Sequence, residues 1–118
     1  MYKIQTFNKI SDKGLSRFPS SDYEVSSEVE NADAIVLRSF KLSMDNVTSS
    51  LKAVGRAGAG VNNVPVDDYT KQGIVVFNTP GANANAVKEL VICGMLLASR
   101  GISQGINWVN SLSEQEGL

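Results

Sequence analysis

Two short runs, Ala34-Ile35-Val36-Leu37 and Ile74-Val75-Val76-Phe77, constrain the fold of this chain more than any other feature. Neither alternates polar with apolar residues, the pattern of a strand in a parallel sheet with helices over both faces. Both end abruptly, the first at Arg38-Ser39 and the second at Asn78-Thr79-Pro80-Gly81. Pro80 and Gly81 continue neither a strand nor a helix, so the second run must open into a loop.

Around these runs, strand and helix signals alternate. Residues 2–7 alternate as a first strand, and residues 8–18 hold turn formers and a short helix starting after Ser11 or Asp12, with Leu15 and Phe18 facing inward. Pro19, Ser20 and Ser21 interrupt the chain before a short polar strand at 23–26, expected at a sheet edge. Ser43 is placed to cap a helix over residues 44–51, where Met44, Val47 and Leu51 share a face. Residues 51–57 return to strand. Pro65 suits the first turn of a following helix, Asp67 and Asp68 suit its dipole, and Gly73 suits its left-handed end. Asn83 or Asn85 caps a helix over residues 86–100, apolar nearly all round and so in need of cover on more than one side. Residues 102–112 read as a last helix and 113–118 as a frayed or cut tail. The order predicts an α/β fold: a flavodoxin-like parallel sheet of about five strands with helices on both faces and right-handed crossovers.

At 118 residues the chain is one domain by size, short for a complete cofactor-using enzyme. Its net charge of −1, with scattered basic residues, gives neither a nucleic-acid footprint nor a polybasic membrane surface. The longest apolar run, residues 90–98, is too short to span a bilayer, and the N-terminus carries no hydrophobic signal region, so a cytoplasmic location is expected. Cys93, the one cysteine, sits in an apolar stretch and is expected to be a buried thiol; there is no histidine, the commonest general base and metal ligand.

In open parallel sheets, ligands sit beyond the carboxyl ends of the strands. Those ends carry Asn8, then Arg38, Ser39 and Lys41, then Arg56 with Gly55, Gly58 and Gly60, and then residues 78–85. Glycines there permit positive φ and close approach of an anion to backbone N–H groups. A dinucleotide loop needs a third glycine and a helix opening at once; Gly58-Ala59-Gly60-Val61-Asn62-Asn63 has neither, and Pro65 postpones the helix. No Gly-Lys-Ser or Gly-Lys-Thr follows, which excludes a Walker loop. Two readings remain from the residues alone: a glycine turn that only lets strand and helix pack closely, or amides at Gly58, Ala59 and Gly60 gripping a carboxylate while Arg38, Ser39 and Lys41 hold a second anionic group.

Arg38-Ser39, the stretch from Gly55 through Arg56, Ala57, Gly58, Ala59, Gly60, Val61, Asn62 and Asn63 to Val64, the run Gly73-Ile74-Val75-Val76-Phe77-Asn78-Thr79-Pro80, and Asn83 with Val87-Lys88-Glu89-Leu90 together resemble the N-terminal part of D-isomer-specific 2-hydroxyacid dehydrogenases. The resemblance implies NAD-dependent oxidation of a small anionic 2-hydroxy acid, with 3-phosphoglycerate to 3-phosphohydroxypyruvate, the entry to serine biosynthesis, as the nearest case. It implies a substrate-binding (lid) domain over residues 1–100 and a linker helix over 101–118 leading to a Rossmann cofactor domain absent from this chain. By motif, Gly58, Ala59 and Gly60 take the carboxylate, Arg38 and Ser39 the phosphate, and Asn83 lies beside the substrate, with Ala59 and Val91 toward the nicotinamide. Ala59 offers no hydroxyl where some relatives place one, and Asn62 and Pro65 stand in a run where many relatives carry aspartates. The family's nucleotide loop and its catalytic Arg, Glu and His fall downstream, so a piece of a longer enzyme, inactive alone, is expected. The apolar helix 86–100 leads to an expectation of homo-oligomers through that helix. A stand-alone flavodoxin-like binding or regulatory module is the other class; a receiver would place an aspartate where Arg38-Ser39 stands.

Overall fold

A computed structural model describes residues 1–112; the tail expected to fray, 113–118, lies outside the described residues. Five strands, β1 (Tyr2–Phe7), β2 (Tyr23–Ser26), β3 (Ala34–Leu37), β4 (Ala53–Arg56) and β5 (Val75–Phe77), form one parallel sheet in the order β2-β1-β3-β4-β5. β3 is the central strand and β2 an edge, as their compositions predicted. The order is that of a flavodoxin-like α/β fold, whose switch point lies between β1 and β3.

Register sorts the side chains onto two faces. Ile4 pairs with Ala34, Ala34 with Ala53 and Ala53 with Val75, while one residue on, Ile35 pairs with Val54 and Leu37 with Arg56. On the second of these faces Ile35, Leu37 and Val54 are buried, with Leu42, Leu51, Val64, Tyr69 and Ile74 closing over them from the connections. Each such aliphatic side chain contributes about 1.5–3 kcal/mol by leaving water. Tyr69 is wholly buried, and its hydroxyl donates to the Ser43 carbonyl at 2.8 Å, so the polar end is satisfied. The other face is apolar too: Ile4 is buried, and Phe18 and Tyr23 meet edge to face at 5.3 Å beside it, but Val75 and Phe77 are 47% and 59% exposed.

The connections are shorter than the sequence suggested. Helix α1 covers only Asp12–Leu15, and Ser11 precedes it without a side-chain cap bond. The helix expected over residues 44–51 is a single 3-10 turn, Met44–Asn46. Ser43 does cap it, accepting from the Asp45 N–H at 3.2 Å, and Asn46 returns the bond to the Ser43 N–H at 2.9 Å. The turn ends because Val47 is extended and the hydroxyls of Thr48 and Ser50 bond to one another at 3.0 Å instead of to a helix backbone; Ser50 also donates to the Ala32 carbonyl at 3.1 Å. Helix α2 (Val66–Lys71) starts after Pro65 and ends as expected at Gly73, whose φ of +75° lets the Gly73 and Ile74 N–H groups bond back to Thr70 and Tyr69.

The chain divides into two compact units, Met1–Ala82 and Asn83–Leu118. In the second, α3 (Ala84–Ser99) and α4 (Ile102–Leu112) pack on one another across Gly101, which has a φ of +60°. Neither helix has a buried residue; Leu90, Met95 and Trp108 are among the exposed side chains. Cys93 is exposed as well, contrary to the expectation that its apolar neighbours would bury it, since no residue of α3 is buried. Among the described residues no helix is long and apolar enough to cross a membrane.

Asp33, at the start of β3, accepts from the Lys3 N–H at 2.9 Å and from Lys52 Nζ at 3.1 Å, and these bonds, that from Lys3 first, hold its carboxyl below the usual carboxylate range. A depressed folded pKa stabilises the fold above the unfolded value of about 3.9 and loses that contribution as pH falls through the folded one. Urea unfolding between pH 7 and pH 2 should therefore show a decline in stability below about pH 4 that is shallower in Asp33→Asn. Equal slopes for the two proteins would contradict this account of Asp33.

Candidate functional site

Because the strands are parallel, their carboxyl ends share one rim, where the ladder stops and backbone groups need other partners. Side chains supply them. Asn8 follows β1 with a φ of +67°, a conformation that asparagine tolerates better than most residues. From there its Oδ1 accepts the N–H groups of Arg38, Ser39 and Phe40 at 3.3, 2.9 and 2.8 Å, while Phe7 and Phe40 stack with ring centroids 4.3 Å apart. The amides of the Arg38 segment are thus occupied from within. The side chains of Arg38, Ser39 and Lys41 are exposed and bond to nothing among the described residues.

After β4 the chain turns sharply. Arg56 folds its side chain back along the turn: Nε donates to the Arg38 carbonyl at 2.9 Å, and Nη1 donates to the Gly60 carbonyl. The guanidinium crosses over Gly58, where a Cβ would lie 2.8 Å from Nη1 and 2.9 Å from Cζ. The reason for glycine at this position therefore differs from the expected one. None of Gly55, Gly58 and Gly60 has positive φ; Gly58 makes room for its neighbour's side chain.

Of the three loop amides singled out, Gly58 N–H closes a tight turn onto the Arg56 carbonyl at 2.9 Å. Those of Ala59 and Gly60 donate to no group among the described residues, and both residues are exposed. The loop's carbonyls are held from the far side, since Asn78 Nδ2 donates to Ala59 O at 2.8 Å, the Thr79 N–H to Gly58 O at 3.0 Å and Thr79 Oγ1 to Arg56 O at 3.3 Å. Asn63 ties the loop to β3, its Nδ2 donating to the carbonyls of Phe40 at 2.7 Å and Arg38 at 3.3 Å. The rim is therefore a set of backbone segments fixed by Asn8, Arg56, Asn63, Asn78 and Thr79, presenting two open amides and three exposed polar or basic side chains. Two neighbouring open amides suit a carboxylate, and a guanidinium with an ammonium suits a phosphate.

The sequence places Asn8, Asn78 and Thr79 only as polar residues at strand ends and gives Asn63 no role of its own. The available signal was their type: short amides and hydroxyls directly beyond strand ends bond to nearby backbone. Asn83 and Val91 belong to the second unit. Asn83 precedes α3 and is exposed with no cap bond from its side chain, and Val91 is 56% exposed on that helix.

Residues 2–116 match the family model described as D-isomer specific 2-hydroxyacid dehydrogenase, catalytic domain. The chain belongs to that family. It is 35% identical over 101 residues to the D-3-phosphoglycerate dehydrogenase of Bacillus subtilis, a match covering 75% of this chain and 19% of that protein. It is 40% identical over 84 residues to the enzyme of the same name from Methanocaldococcus jannaschii, covering 69% of this chain and 16% of the relative. Among solved structures, an NAD+-bound 3-phosphoglycerate dehydrogenase of Entamoeba histolytica superimposes with a TM-score of 0.67 at 26% identity, over 81% of this chain and 38% of that one. The chain thus spans about a fifth or less of the length of these curated relatives.

The Asn8 clamp predicts a graded series in thermal or urea unfolding. Asn8→Asp keeps the acceptor and should cost under about 1 kcal/mol; Asn8→Gly keeps the backbone conformation but loses the three bonds and should cost about 1–2 kcal/mol. Asn8→Ala loses the bonds and adds left-handed strain, so it should be the least stable of the three by about a further 1 kcal/mol. An alanine variant as stable as the aspartate variant would show that the clamp contributes nothing.

Proposed function

We propose that this chain is the substrate-holding part of an NAD-dependent D-3-phosphoglycerate dehydrogenase, which oxidises 3-phosphoglycerate to 3-phosphohydroxypyruvate at the entry to serine biosynthesis. The observation that carries the reading is the pair of unpartnered amides at Ala59 and Gly60, on the same rim as exposed Arg38, Ser39 and Lys41. A phosphorylated hydroxy acid has two anionic ends to match them. The carboxylate accepts from the amides in charge-assisted bonds, and Arg38 with Ser39 and Lys41 takes the phosphate. Gly58 contributes shape through its missing Cβ. Asn83 and Val91, in the second unit, keep the substrate-side and cofactor-side roles that the resemblance gives them, and Ala59 keeps its place toward the nicotinamide.

NAD fits this chain only at an edge. The loop amides number two, too few for a pyrophosphate cradle, and Ala59 offers a methyl group and no hydroxyl. When bound, NAD would supply the hydride acceptor for the hydroxyl-bearing carbon. The residues described here orient the acid for that step, and with no histidine in the sequence they supply no imidazole base.

The full-length protein carrying this segment should oxidise 3-phosphoglycerate with a kcat/KM at least about 100-fold above that for D-lactate, because the site's cationic groups would be left unmatched by the smaller acid. Arg38→Met should raise KM for 3-phosphoglycerate about 10- to 100-fold with little change in kcat, the loss expected for one charge-assisted contact made equally in ground and transition states. Similar efficiency on both acids would overturn the phosphate assignment.

The apolar surface of α3 further supports self-association into a homo-oligomer, since Leu90, Val91, Met95 and Leu96 are all exposed on one helix. Sedimentation equilibrium at high protein concentration should give a mass of at least two chains. A monomer across the accessible range would contradict it.

A further inference from the structure

We infer that Arg56 is a positioning residue: a strut that fixes the carboxylate-binding amides relative to the Arg38 segment and so lets the site recognise two anionic groups at once. The inference rests on the substrate reading just proposed. Its basis is what the guanidinium bonds to. One nitrogen, Nε, holds the carbonyl of Arg38, the residue whose side chain faces the phosphate in that reading. Another, Nη1, holds the carbonyl of Gly60, the last of the loop residues. A planar guanidinium presents these donors in a rigid fork, so the two carbonyls it joins are held at a fixed separation. Gly58 leaves the space that the fork crosses, with no room for a Cβ at 2.8 and 2.9 Å from Nη1 and Cζ. Asn63 grips the same Arg38 carbonyl and that of Phe40, which fixes the other end of the strut.

The basic residue nearest the loop amides is thus engaged with protein carbonyls through two of its three nitrogens. Its contribution to binding is geometric. A ligand that bridges the loop and the Arg38 segment gains the advantage of a second contact made at high effective concentration, and that advantage depends on the two segments keeping their spacing. A ligand that touches only one segment does not depend on it.

Two variants break the strut independently. Arg56→Lys keeps a positive charge but loses the fork, and Gly58→Ala displaces an unaltered guanidinium. In the full-length protein each should raise KM for 3-phosphoglycerate about tenfold or more while changing KM for D-glycerate, which has the same carbon frame without the phosphate, by less than about threefold. Combining them should add little to either alone, because both remove one interaction. Ile4→Val, a buried change away from the rim, serves as the stability control and should leave the ratio of the two KM values unchanged.

An equal rise for both acids would overturn the strut and make Arg56 a direct carboxylate ligand, and no rise would overturn any positioning role. Wild-type enzyme that fails to prefer 3-phosphoglycerate over D-glycerate would instead defeat the substrate reading. Hydrogen exchange then still decides the strut: Arg56→Lys should speed exchange in segments 38–41 and 57–63 together relative to Ile4→Val, and unchanged exchange in either segment would overturn it.

Discussion

The carbonyl of Arg38 is the point on which the rim depends. It lies one residue past the end of β3, where the sheet no longer supplies an N–H, and it receives two side-chain donors, Arg56 Nε and Asn63 Nδ2. A backbone group left without a partner at such a place costs about as much as a lost hydrogen bond, so the chain's path beyond β3 is settled by residues that come 18 and 25 positions later. Everything that presents ligand groups follows from this. The Arg38 segment is held from below by Asn8 and from the side by Arg56 and Asn63, and the loop after β4 inherits its shape from the same arginine.

Much of the sheet was legible in the sequence because its signals are local and redundant. Strand runs at 34–37 and 74–77 lack alternation, and the turn residues after them leave no other reading. Gly73 as a left-handed helix end was legible for the same reason, since one residue type answers one backbone need. The helix over 44–51 did not form, although Met44, Val47 and Leu51 share a helical face, because Val47 is extended and Thr48 and Ser50 bond to one another in a segment that Tyr69 holds at the Ser43 carbonyl. Cys93 was misplaced by a related assumption, that an apolar neighbourhood in sequence becomes a buried one in space.

The rim was legible in position and not in mechanism. Parallel topology told which strand ends would share the rim. What it left out is that Gly58 accommodates a side chain instead of a bent backbone, and that Asn8, Asn63, Asn78 and Thr79 do the holding. The holding roles depend on pairs of residues 19 to 32 positions apart, and one sequence holds no record of pairs.

The character of the bonds at the rim divides its response to ionic strength. Asn8, Asn63, Asn78 and Thr79 are neutral, and Arg56 meets carbonyl dipoles, so no bond of the rim itself is an ion pair. Added salt, with a screening length of about 8 Å at physiological strength, weakens the attraction of exposed Arg38 and Lys41 for an anion. It leaves the short dipolar bonds beneath them nearly untouched. The rim keeps its shape in brine; what salt removes is its hold on charge.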